Sequence, residues 1–123
     1  MTTPNLQITE LSASQADKTT RVNQMVRDLE GALTAWLTVA IPDADVALTA
    51  AQAGLHMLFD CTGALTAPRN VTVPDAIVKL YLARDSTTGG QTVTFKTVTG
   101  TGIALTASWQ LLYSDGTNVI LII

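Results

Sequence analysis

The chain has one histidine and one cysteine, His56 and Cys61, close enough in sequence to raise the question of a dyad. A thiolate nucleophile needs a base within hydrogen-bond reach. On a strand, however, an odd separation sends two side chains to opposite faces. Cys61 therefore reads as a small buried hydrophobe. Asp43 and Asp45 are spaced to touch one cation, but the later oxygen ligands of a calcium loop do not follow. Loop solvation and capping account for them. Asp60, Asp75, Asp85 and Asp115 are of the type that serves in paired-carboxylate hydrolysis, yet each falls in or beside a turn, where Asp has a local structural use. "GTGIAL" lacks the third glycine and the following helix of a dinucleotide loop, and "TTGGQT" has no lysine for phosphate, so both read as turns. Asn70-Val71-Thr72 fits a glycosylation sequon without any sign of secretion. These residues predict no catalytic, metal or cofactor site.

The aromatic residues offer a different chemistry. Trp36, Trp109, Tyr81 and Tyr113 could form a platform for sugar rings, and Trp36 shares a strand face with threonines. Burial in a subunit interface explains the same residues, because aromatics are enriched there.

Positioning falls to one helix and a series of strands. Ser14 is placed as an N-cap with Asp17 three residues on. Val22, Met25, Val26, Leu29 and Leu33 follow at i, i+3, i+4, i+7 spacing, with Gly31 as a stop. A helix of about four turns is marginal in water alone, so its stripe must be covered. It either lies on its own β domain or self-associates as a short stalk, with Val22 and Leu29 at one heptad core position and Met25 and Ala32 at the other. Residues Met1 to Leu11 read as an extended arm. From "LTAWLTVAI" onward, strands are expected in "LHMLFDC", "RNVTV", "AIVKLYLAR", "QTVTFKTV", "GIAL" and "WQLLYS". "VALTAAQAG" reads as a short strand and a helical turn. Asp115-Gly116 joins "WQLLY" to "VILII" in a hairpin. Short strands so spaced predict an antiparallel β-sandwich or barrel-like domain. "ALTA" recurs at Ala32, Ala47, Ala64 and Ala104 at unequal spacing, which argues against a solenoid.

Composition sets the partners. Apolar residues make up 47% of the 123 and charged residues 14%, against about 25% charged in typical soluble domains. Such a chain buries an unusual share of its surface or associates. A net charge of -3 leaves no basic footprint for nucleic acid. No apolar run is long enough to span a bilayer. A lone cysteine gives no disulfide framework and points to folding inside a cell. The run Val119–Ile123 is apolar at every position, so it should be buried on both faces. One face would meet a core of residues such as Phe59, Leu80 and Phe95, and the other a neighbouring subunit.

Four segments, "NLQITELSASQADKTTRVNQMVRDLEGALT", "CTGALTAPRNVTVP", "LARDSTTGGQTVTFKTVTGTGIAL" and "LLYSDGTNVILI", together resemble small virion modules of tailed bacteriophages. Asp85 stands where that pattern commonly has Asn, and Pro68 where it has Ala or Arg. The resemblance implies a non-enzymatic, trimeric head decoration, head fibre or tail-fibre module, assembled in the host cytoplasm and sited on the virion. It implies residues 1–31 as an arm and helix for attachment to a major capsid protein or other virion proteins, and residues 32–123 as the β domain. No cofactor and no membrane partner is expected, and host surface glycans remain open as a ligand of the aromatics. The expected trimer contacts are Val22, Met25, Leu29, Ala32, Trp36, Val119, Leu121 and Ile123.

Overall fold

A computed structural model describes residues 1–14 and 16–123. The described residues form, in chain order, α1 (Lys18–Thr34), β1 (Trp36–Ala40), β2 (Val46–Ala47), α2 (Ala50–Leu55), β3 (Leu58–Thr62), β4 (Arg69–Val73), β5 (Val78–Asp85), β6 (Val93–Thr97), β7 (Gly102–Ala104), β8 (Gln110–Asp115) and β9 (Val119–Leu121). The fold is mainly β, with one long helix at the N-terminal end. Helix α1 starts three residues later than the Ser14 cap predicts, because Asp17 supplies the same chemistry: its Oδ1 accepts from Thr20 N at 3.2 Å. The helix also runs through Gly31 to Thr34. Gly31 therefore does not terminate the helix, and a Cβ there would lie at ordinary contact distance, 3.9 Å, from the Leu55 carbonyl of α2.

The predicted strands are present, but their pairing is not antiparallel throughout. One sheet has the order β1-β3-β5-β8-β9 and the other β2-β4-β6-β7. β1, β3 and β5 are parallel neighbours, as are β2, β4 and β6; β8 and β9 complete the first sheet and β7 the second in antiparallel fashion. The chain therefore winds three times between the two sheets before the antiparallel strands close it off. Neither sheet closes into a barrel. Trp36, Leu58 and Leu82 occupy one register row, and Val46, Val71 and Phe95 another. The "ALTA" copies are not the repeating unit. Ala32 is in α1, Ala47 in β2, Ala64 in an isolated bridge and Ala104 in β7.

The inward faces share one core. Phe59 of β3, Tyr81 of β5 and Phe95 of β6 are fully buried and meet with ring centroids 5.4–5.6 Å apart, within the favourable range for aromatic pairs. Leu80 is not among them. It faces outward, because Lys79, Tyr81 and Ala83 take the inward positions of β5. Aspartates link successive turns of the winding. Asp43 accepts from Thr66 N and Oγ1 (2.9 and 2.6 Å), and Asp75 from Thr99 N and Oγ1 (3.3 and 2.7 Å).

The N-terminal segment is a small hairpin rather than an extended arm, with Thr2 bridged to Thr9. Asn5 Oδ1 accepts from Val78 N at 2.7 Å. At Gly54 a Cβ would come within 2.6 Å of Gln7 Cγ and 2.8 Å of the Leu6 backbone. Gly54 is thus a seat for the hairpin.

Candidate functional site

Helix α1 carries its apolar stripe in the open. Val22, Val26, Leu29 and Leu33 are exposed, whereas Ala32 is fully buried, in the last turns where α1 approaches α2. The exposed residues step by four, three and four. Of the predicted Val22–Met25–Leu29–Ala32 seam, Val22 and Leu29 are in the open stripe, while Val26 and Leu33 take the places of half-buried Met25 and buried Ala32. The stripe forms one wall of an apolar groove of about 480 Å³, in which Val22, Met25, Val26 and Leu29 face Pro4, Leu6 and Ile8 of the hairpin.

The predicted contacts therefore separate into two groups. Val22, Leu29, Trp36, Leu121 and Ile123 are exposed, and Met25 is half-buried. Ala32 and Val119 are buried among the protein's own atoms. The Asp115-Gly116 hairpin forms as expected. Asp115 Oδ1 accepts from Thr117 N and Asn118 N (2.8 and 2.7 Å), and Gly116 takes φ +89°, a conformation glycine adopts without strain. However, the "VILII" run is buried on both faces only at Val119. Val119 N donates to Thr101 O at 2.9 Å and ties β9 to the second sheet, while Ile120 to Ile123 extend along an edge with exposed side chains.

The outer face of the five-stranded sheet brings together residues that lie far apart in sequence. Strand register aligns Leu80 with Tyr113 and Ile120, and Trp36 with Leu58, Leu82 and Leu111. Beside this apolar row, Asp60 and Arg84 form a two-pronged ion pair. Arg84 Nε donates to Asp60 Oδ1 at 3.0 Å and Nη2 to Oδ2 at 3.1 Å; Ser86 Oγ donates to Oδ1 at 2.6 Å. These bonds hold the Asp60 carboxyl below its ordinary value, with Arg84 the main cause, even though burial opposes the shift. The Arg84 guanidinium carbon lies 4.7 Å from the Trp109 ring centroid and 5.4 Å from that of Trp36, within cation–π range. The two indoles meet edge to face, centroids 5.0 Å apart.

Other sequence candidates are placed elsewhere. Cys61 is in the core, its thiol pushed up to about 12 chiefly by burial. His56 Nδ1 lies 2.8 Å from the Gln52 carbonyl. Asp43 is held down at about 2, first by the Thr66 hydroxyl, and also pairs with Arg69 at 3.0 Å. Asp45 accepts from Asn70 N, and Asp85 from Thr87. Sequence reading overlooked Arg84 and Lys79. Lys79 is buried, and its Nζ donates to the carbonyls of Ala53, Gly54 and His56 at 3.2, 3.0 and 2.6 Å. It thereby caps the C-terminal end of α2, whose last carbonyls have no partner within the helix. The signal for both was the alternation of β5, which sends residue 79 inward and 84 outward.

No protein-family model, curated protein or solved structure matches the chain.

Proposed function

We propose that this protein is a non-enzymatic structural subunit of a tailed-bacteriophage virion, a trimer that decorates the capsid surface. The observation that carries the reading is the apolar stripe of α1. Four large side chains are left open on a helix anchored at its C-terminal end, and such a face calls for association. Three copies of the stripe packed together form a short stalk, with the two-sheet, sandwich-like β domain as the projecting knob and the N-terminal hairpin as the attachment to the major capsid protein or another virion protein. The sequence resemblance to virion modules supports the same reading.

The test is solution mass followed by localisation. The expected mass is that of three chains, and cryo-EM of particles carrying the protein should show it at three-fold or quasi-three-fold capsid positions. A monomer across the accessible concentration range overturns the trimer. Copies confined to the tail replace the capsid assignment with a tail-fibre or adaptor role, which the same subunit geometry suits.

A further inference from the structure

Trp36 and Trp109 are the two tryptophans of the chain, and the fold brings both to one cluster on the outer sheet face. Trp36 opens β1 and Trp109 precedes β8, while Asp60 lies on β3 and Arg84 on β5. Strands rather than loops carry most of the cluster, which fixes its geometry. Trp36 is 50% exposed although it sits against another indole and a guanidinium. A flat apolar surface is therefore presented next to a hydrogen-bonding group that is already oriented. A guanidinium has five N–H donors. Asp60 takes two of Arg84's, and no other protein acceptor for that guanidinium occurs among the described residues. Asp60 and Arg84 neutralise one another, so the cluster has no excess charge with which to select an ionic ligand.

We propose that the Trp36–Arg84–Trp109 cluster binds an uncharged glycan. A pyranose ring matches both halves of the site: its C–H face stacks on an indole, and its hydroxyls accept from the remaining Arg84 N–H groups. Asp60 and Ser86 act as positioning residues, holding the guanidinium in place. A nucleic-acid strand also stacks on aromatics, but its phosphates need a basic groove, and the chain carries a net charge of -3. The inference stands apart from the virion assignment.

Because both tryptophans are in the cluster, emission excited selectively from tryptophan, at wavelengths where Tyr81 and Tyr113 do not absorb, reports on this site alone. The full chain is titrated with soluble oligosaccharides of glucose, mannose, galactose and N-acetylglucosamine, up to ~10 mM, tenfold above a weak millimolar Kd. At least one sugar should give a saturable change in emission. By calorimetry, Trp36→Ala should then weaken binding by ~tenfold or more, as for an aromatic hot spot, and Arg84→Lys should weaken it as well. Trp36→Phe should restore most of the affinity, and Val98→Thr, at an exposed site away from the cluster, should leave it unchanged. A folded protein that responds to none of the four series overturns the proposal. So does binding that persists at full strength in Trp36→Ala, or a response to an aromatic peptide and to no sugar. A further outcome decides against it: if acrylamide quenches the monomeric Leu29→Asp variant but not the assembled protein, the rings belong to a subunit interface.

Discussion

Replacing Leu29 by aspartate acts more on assembly than on folding, because about half of Leu29 is open in the protomer. Val22 and Leu29 are each 46% exposed, and Val26 and Leu33 each 62%. With fully exposed areas of about 150–180 Å² per residue, about 350 Å² of the stripe is open, and covering it is worth up to about 9 kcal/mol per protomer. Association costs several kcal/mol of that. Leu29 accounts for about 80 Å², or about 2 kcal/mol per protomer and about 6 kcal/mol per trimer, close to four decades in the association constant. The aspartate adds the cost of an unpaired carboxylate in the seam. Within one protomer the change costs about 0.5 kcal/mol of helix propensity and up to about 2 kcal/mol from the covered half of Leu29, which lines the groove against the hairpin. Sedimentation equilibrium should therefore show three chains for the native protein and one for Leu29→Asp, whose monomer still melts cooperatively but at a lower midpoint, having lost the stabilisation of assembly. Val98→Asp, at an exposed apolar site just after the end of β6, should leave the mass at three chains. Leu29→Asp that still sediments as a trimer refutes the stripe as the seam.

Three further outcomes probe the fold. Lys79→Met removes the donor shared by three carbonyls at the end of α2; the loss, offset by relief of burying the ammonium, should be about 2 kcal/mol at neutral pH by urea unfolding. Burial lowers Lys79 to about 8 from its ordinary 10.5, so between those values the unfolded chain binds more protons and stability rises with pH. The rise is at most about 3 kcal/mol, lessened by the carbonyls that favour the charged form, and Lys79→Met should lack this contribution. Tyr81→Phe removes a buried hydroxyl with no hydrogen-bond partner and should raise the melting temperature by about 4 °C, equivalent to about 1 kcal/mol in a domain of this size. Asp43, Asp60 and Asp115 all sit below their ordinary 3.8, held by Thr66, Arg84 and the Asn118 amide in turn. Their contribution is fully present above about pH 4 and is lost as pH falls through the folded values, near pH 2 for Asp43. Melting followed by circular dichroism should decline over that window, and less steeply in Thr66→Val.

Much of the secondary structure was legible because its signals are local. Alternating β-branched residues marked the strand spans, Asp115-Gly116 marked the last hairpin, and the apolar period of residues 22–33 marked the helix. The stripe's solvent exposure was not legible. A stripe records that a face needs cover, not what covers it, and burial of Ala32 where α1 meets α2 takes that residue out of the open surface. The buried ends of Ala32 and Val119 likewise follow from contacts distant in sequence.

The pairing of strands was the larger omission. Alternation specifies which side of a strand faces a core, but parallel and antiparallel neighbours satisfy it equally well. The turns of the winding are similar in length, parallel partners stepping by 22 to 25 residues, but different residues fill the matching positions, so no repeated motif marks the period in the sequence. Tertiary structure also made the Trp36–Arg84–Trp109 cluster. Its members belong to strands β1 and β5 and the approach to β8, and only the order β1-β3-β5-β8 sets them on one face. The sequence by itself determined where the chain is helical or extended and which residues resist water. Which strands become neighbours was decided by a core shared between two sheets, where the favourable contacts are non-local and no short stretch of residues encodes them.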